Sequence, residues 1–160
     1  MPIIRESLKG SPLQWILWQD RDQHRSNNFK PLWGKVPEEL VIDEFSVRYK
    51  LLFNQGYDIG LYTDMAAIRD SFIESFHDKD VLNLYSYTGA WSLFALCHKA
   101  KHVTSVDLSE KYLSWLNENL TLNNYSHHTS IRSDSLSYLE QIIKKGEQFD
   151  FIICDPPSFS

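Results

Sequence analysis

The chain has 160 residues, 42% of them apolar and 23% charged, which suits one domain plus an extension and argues against disorder. No apolar run approaches the roughly 18 residues of a membrane span, and Met1 to Gly10, with Arg5, Glu6 and Lys9, has no apolar signal-peptide core. The formal charge is −5, yet Arg21 to Lys35 carries +3 and leaves −8 on the remainder.

Leu13 to Trp18 is a short apolar run that reads as a strand, and Gln19 to Lys35 has the composition of a loop. Within that loop, Arg21, Arg25, Lys30, Trp33 and Lys35 are candidate RNA contacts, the cations meeting phosphates and the rings stacking on unpaired bases. A solvated loop with its aromatics anchored in the core is the plainer and preferred reading of this composition. From Glu44 to Phe53, Phe45, Val47, Tyr49 and Leu51 alternate with polar residues, so the segment predicts a strand. Asn54-Gln55-Gly56 is a turn signal, with Tyr57 to Tyr62 expected to return as the second strand of a hairpin. Asp64 is expected to cap a helix whose Ile68, Phe72 and Phe76 share one face.

From there strands and helices alternate. Val81–Tyr85, Val103–Val106, Thr129–Arg132 and Phe149–Cys154 predict four strands. Helices are expected over 91–98, from about Glu110 to Leu122, and from about Leu136 to Gly146. The fourth strand, apolar except for Asp150, is expected to be covered on both faces, which makes Cys154 a packing residue; Cys97, in a helix, reads the same way. Both cysteines read as reduced thiols of a cytoplasmic protein. The alternation implies an α/β fold, a Rossmann-like parallel sheet preceded by a hairpin-containing N-terminal extension. Residues 1–79 form the extension and 80–160 the sheet domain.

In open parallel sheets, ligands bind beyond the carboxyl ends of the strands. Here strand one leads into Ser86-Tyr87-Thr88-Gly89-Ala90, strand two into Asp107, strand three into Ser133-Asp134 and strand four into Asp155-Pro156-Pro157. The turn lets backbone approach a ligand, and the helix that follows favours an anionic group at its N-terminus. Asp107 lies 18 residues after Gly89, near the ~20-residue spacing of a ribose-binding acid. Asp134 could accept from an adenine amine, and Asp155 would face a second substrate. Each carboxylate also has a plainer use: helix capping for Asp107 and Asp134, turn chemistry for Asp155. A nicotinamide dinucleotide wants G-x-G-x-x-G, and this loop has Gly89 alone; no G-x-x-x-x-G-K-[ST] occurs. S-adenosylmethionine, which needs no pyrophosphate cradle, fits better. The six histidines show no metal-ligand spacing, so no metal is expected, and His127-His128 reads as an exposed turn.

Leu82 to Ser92, Val103 to Ser109, Asn119 with Leu122-Asn123, Phe149-Asp150 and Asp155 to Phe159 together resemble the class I S-adenosylmethionine-dependent methyltransferases of bacterial large-subunit ribosomal RNA, in the N7-guanine and 5-methylcytosine branch. Gly60-Leu61-Tyr62-Thr63-Asp64 with Arg69 is similar to the segment that precedes motif I in that family. The resemblance implies strand order 3-2-1-4 and a ribosomal RNA substrate. It implies cofactor contacts from Tyr85, Ser86, Tyr87, Thr88, Gly89, Asp107, Leu108, Asp134 and Ser135. Asp155, Pro156 and Pro157 would border the acceptor base. Where the family often has an arginine two residues after the aspartate matching Asp64, this chain has Ala66, and Arg69 is the candidate substitute.

Guanine N7 already carries a lone pair, whereas cytosine C5 needs a cysteine to add to the ring first, so N7-guanine is slightly favoured. The family sheet continues through three further strands, so the chain is expected to be cut after motif IV. Its fourth strand would then be an unpaired edge open to self-association. A non-catalytic S-adenosylmethionine- or RNA-binding module is the alternative.

Overall fold

A computed structural model describes residues 12–19, 29–53 and 58–157. They fall into two compact units, one within 1–40 and 51–59, the other within 41–50 and 60–160.

In the first unit, β1 (Ile16–Gln19) pairs antiparallel with β2 (Phe29–Trp33), Trp18 opposite Lys30 and Leu17 opposite Pro31. Part of the stretch read as a loop, Phe29–Trp33, is therefore a strand. Pro31 is tolerated because a two-stranded ribbon leaves each strand an open edge. Trp15 packs edge-on against Phe53, ring centroids 5.2 Å apart.

A second hairpin joins β3 (Glu39–Glu44) to β4 (Val47–Leu52) through Phe45 and Ser46, both at positive φ, 50° and 67°. The partner of β4 is thus the strand before it. Residues 58–62 form no strand, although Leu52 N–H donates to Ile59 O at 3.1 Å; the expected turn, Asn54 to Gly56, and Tyr57 lie outside the described residues. The predicted alternation does hold along β4, where Val47, Tyr49 and Leu51 are buried.

In the second unit, Asp64 lies in a 3-10 turn (Thr63–Met65) and α1 (Ala66–Ser71) begins after Met65 with no side-chain cap. Ile68 and Phe72 are exposed and Phe76 is buried beyond the helix, so the three share no buried face. The buried residue of α1 is Arg69. Then come β5 (Asp80–Leu84), α2 (Ala90–Cys97), β6 (His102–Asp107), α3 (Glu110–Asn123), β7 (His128–Arg132), α4 (Ser135–Lys145) and β8 (Phe151–Cys154). The four strands form one parallel sheet in the order β7-β6-β5-β8, which is the predicted 3-2-1-4. Gly146, at φ 68°, ends α4 where the glycine signal placed it.

The sheet is packed on both faces. Val81, Val103 and Ile153 join Phe76, Phe94 and Ala95 on one, and Leu82, Leu84 and Val106 join Tyr138 and Ile142 on the other. Each of the valine, leucine, isoleucine and phenylalanine side chains contributes about 1.5–3 kcal/mol through burial. Cover thins at β8, where Ile152 is 53% exposed and Cys154 is also exposed. An apolar run therefore did not mean burial on both sides, and Cys154 is no packing residue. Cys97 is half-buried, its Sγ 3.9 Å from Phe45 O. His128 begins β7 instead of lying in an exposed turn, and its Nε2 is 2.7 Å from the buried Ser105 Oγ.

The tip of β4 docks on α3 through two amides one helical turn apart. Asn119 Oδ1 accepts from Lys50 N–H at 2.9 Å, and Asn123 exchanges bonds with both backbone groups of Arg48 at 2.8 and 2.7 Å. Two asparagines thus supply the ladder partners that a neighbouring strand would supply.

Candidate functional site

The carboxyl ends of β5 and β6 meet in a strained loop. After Leu84 the chain passes through Tyr85 (φ 54°), Tyr87 (φ 51°) and Gly89 (φ 87°), three left-handed residues in five. For a tyrosine that conformation costs on the order of 1–3 kcal/mol and persists only where surrounding contacts enforce it. Those contacts are present. Tyr85 N–H donates to Ser135 Oγ at 3.3 Å, Ser86 N–H to Val106 O at 2.9 Å and Gly89 N–H to Ser86 O at 2.9 Å. Thr88 Oγ1 donates to Gly60 O at 2.5 Å, and Asn119 Nδ2 donates to Thr88 O at 3.1 Å. Gly89 admits no side chain, since a Cβ would lie 2.6 Å from Leu116 Cγ.

Asp107 closes the loop from the next strand. Its Oδ2 accepts from Tyr87 N–H and its Oδ1 from Ser109 N–H, each at 2.8 Å. Two backbone donors fix the plane of the half-buried carboxylate. A carboxylate offers about four lone-pair positions, so acceptor capacity remains on both oxygens. Capping of α3 falls to Ser109, whose Oγ accepts from Tyr112 N–H at 3.3 Å, and not to Asp107.

The other predicted residues are placed less evenly. Leu108 is 67% exposed on the same rim. Asp134 caps α4, accepting Ser137 N–H on Oδ1 at 2.9 Å; that backbone donor chiefly holds its carboxyl below the ordinary range, helped by the Ser137 side chain. Its plainer role is therefore realised. Ser135 is buried against Tyr85. Asp155, Pro156 and Pro157 follow β8 and are exposed. Arg69 is 1% exposed, and its Nη2 bonds both carboxylate oxygens of Glu44, so its charge is taken up within the fold. Ser86 Oγ is buried with no hydrogen-bond partner among the described residues. Among the RNA candidates, Arg21 and Arg25 lie outside the described residues. Lys30 and Lys35 are exposed and Trp33 is half-buried. Trp18, an aromatic just upstream of the basic segment, is 55% exposed opposite Lys30.

Sequence reasoning missed Glu44, and it quoted Gly60 only within the family-like segment, with no role of its own. An arginine on a short helix signals nothing until its burial is known. Gly60 carries a weak signal, a lone glycine, whose meaning depends on Trp115: a Cβ at Gly60 would lie 2.3 Å from that ring.

Residues 65–159 match the family described as conserved hypothetical protein 95. The ribosomal RNA large subunit methyltransferase K/L of Photobacterium profundum is 30% identical over 164 residues, covering 100% of this chain and 23% of that protein. Its counterpart in Pseudoalteromonas atlantica is 36% identical over 150 residues, covering 93% and 21%. The chain thus spans less than a quarter of the length of these relatives. A crystal structure of SMU.776 complexed with SAH superposes with TM-score 0.88 at 29% identity, covering 99% of this chain and 42% of that one. The SAM-dependent methyltransferase of Agrobacterium tumefaciens, 23% identical with TM-score 0.81 over 96% of this chain and 50% of its own, shares the fold.

Proposed function

The chain belongs to the conserved hypothetical protein 95 family, and we propose that it is the S-adenosylmethionine-binding part of a methyltransferase acting on a base of large-subunit ribosomal RNA. One observation carries this reading: the carboxylate of Asp107 is oriented by Tyr87 N–H, inside a strained loop at the ends of two adjacent parallel strands. That arrangement suits a ribose beside a group that needs close backbone approach, which supports the reading. The residues fit the cofactor elsewhere too. Ser86 Oγ, buried and unpartnered among the described residues, can donate to a carboxylate at the methionine end. Leu108 offers an exposed apolar face to a purine ring. Ser135 holds the loop through Tyr85 N–H, and Asp134, though it caps α4, stands on the rim where an adenine amine would lie. Arg69 enters this reading through Glu44 rather than by direct contact. Residues 80–160 carry the cofactor site and 1–79 the extension, with Arg21, Arg25, Lys30, Trp33 and Lys35 as RNA contacts. A ribosomal substrate also implies the cytoplasm.

S-adenosylmethionine, when bound, supplies an electrophilic methyl group for in-line displacement. The protein has to align the acceptor, and we assign Asp155, Pro156 and Pro157, exposed just after β8, to border it. Guanine N7 is the acceptor we favour, because it needs neither a thiol nor a strong base. The exposure of Cys154, one residue before Asp155, supports cytosine C5 as a second reading, since that carbon becomes nucleophilic only after a thiol adds to the neighbouring ring carbon.

Calorimetry with S-adenosylhomocysteine tests the site. Binding by the unaltered chain should weaken roughly 10- to 100-fold in Asp107→Ala, the loss of a hydrogen-bonded charged acceptor. No binding by the unaltered chain sinks the proposal. Binding without methyl transfer to ribosomal RNA favours the non-catalytic module, and a digest containing 5-methylcytidine instead of N7-methylguanosine selects the second reading.

A further inference from the structure

The strained loop is held from outside the sheet by the segment Gly60 to Tyr62. Thr88 Oγ1 reaches Gly60 O, and the Tyr62 ring, 45% exposed, leans on the Tyr87 ring with centroids 5.6 Å apart. The Tyr87 ring is backed by Tyr112 at 4.6 Å and Trp115 at 6.5 Å. Gly60 approaches only because it lacks a side chain and sits at φ 108°, against the Trp115 ring. Behind the segment, the buried Arg69 pairs with the half-buried Glu44 and ties the tip of the β3–β4 hairpin to α1, and both Nη atoms of Arg69 lie 3.5 Å from Tyr62 O.

We propose that residues 60–62 are a strap that keeps Tyr87 in its left-handed conformation, and that Tyr62 is thereby a positioning residue for Asp107. The inference rests on the cofactor reading above for its functional meaning, but its structural claim is separate. A tyrosine returns to negative φ unless its surroundings prevent it. If Tyr87 relaxed, its N–H would turn away from Asp107 Oδ2, and the carboxylate would keep only Ser109 N–H to fix its plane. The strap acts through the ring of Tyr62, so phenylalanine should serve in its place and alanine should not.

The test compares Tyr62→Ala and Tyr62→Phe with the unaltered 160-residue chain. Amide hydrogen exchange at Tyr87 is measured without ligand, and S-adenosylhomocysteine is titrated in parallel. In Tyr62→Ala, Tyr87 N–H should exchange about tenfold faster while the amides of β6 keep their protection, since local opening is separable from global unfolding. Cofactor affinity should fall by the same order, and Tyr62→Phe should restore both. Unchanged exchange at Tyr87 in the alanine variant, or equally fast exchange in the phenylalanine variant, overturns the strap. Faster exchange in a chain that never binds S-adenosylhomocysteine upholds the strap and overturns the cofactor reading instead.

Discussion

Burial, with a smaller push from His102, lowers the His128 imidazole to about 4. The ring ends a buried polar chain: Asn83 Nδ2 donates to Ser92 Oγ at 2.8 Å, Ser92 Oγ lies 2.6 Å from Ser105 Oγ, and Ser105 Oγ lies 2.7 Å from His128 Nε2. His102 has its own partner, Thr129 Oγ1 at 2.9 Å. The ring of His128 is therefore neutral in the folded protein well below the pH at which an unfolded histidine, near 6.5, takes up its proton. The sign follows: as pH falls from about 6.5 towards 4, the unfolded state binds the proton first and the fold loses stability. The contribution is at most about 3 kcal/mol, and partial exposure of the ring reduces it. Urea denaturation at several pH values between 4.5 and 7.5 should show this slope in the unaltered chain and a shallower one in His128→Gln. Carboxylates titrate in the same window, so the difference between the two proteins is the quantity to read. Identical slopes would mean that the imidazole is not held neutral.

At the level of elements, β8 is where composition and environment disagree. Its inner edge pairs with β5, and in the described sheet it is the last strand on that side. Ile152 stands 53% exposed, and on α4 Leu136 and Ile143 are 64% and 73% exposed. An apolar edge strand without a charge or proline inside it is a template for pairing with another chain. The 160-residue chain should therefore self-associate with concentration in sedimentation experiments, and Ile152→Lys should return it to monomer; a monodisperse monomer of the unaltered chain would contradict this. The four parallel strands were legible because short apolar runs alternate with helical periods. Their carboxylates were legible because chain order alone delivers Asp107, Asp134 and Asp155 to one rim. What the extension does was not. β2 has no strand pattern and exists through its pairing with β1, while the β3–β4 connection uses Phe45 and Ser46 at positive φ, where Asn-Gly would have announced a hairpin. The partner of Arg69 was hidden for the same reason, because an ion pair between distant segments is a property of tertiary approach.

For the whole molecule, the decisive quantity is how the charge of −5 is distributed. A protein of that net charge is repelled by nucleic acid unless a local cationic segment outweighs it. Arg21, Arg25, Lys30 and Lys35 form such a segment in the sequence, and in the hairpin Trp18 stands exposed opposite Lys30, where a ring and a cation can share one unpaired nucleotide. If all four cations meet phosphates of single-stranded RNA, the affinity should fall with salt at a slope of about −3 on logarithmic axes, or roughly 50-fold between 50 and 200 mM. Fluorescence anisotropy with a labelled ribosomal RNA fragment measures this directly. Reversing the four cations to glutamate should remove both the binding and its salt dependence. Trp18→Ala should weaken binding by about 1–3 kcal/mol, the range for one stacked base, and leave the slope unchanged, because stacking releases no counterions. An affinity that survives charge reversal would move the RNA contact away from the first hairpin and leave its aromatics a purely structural role.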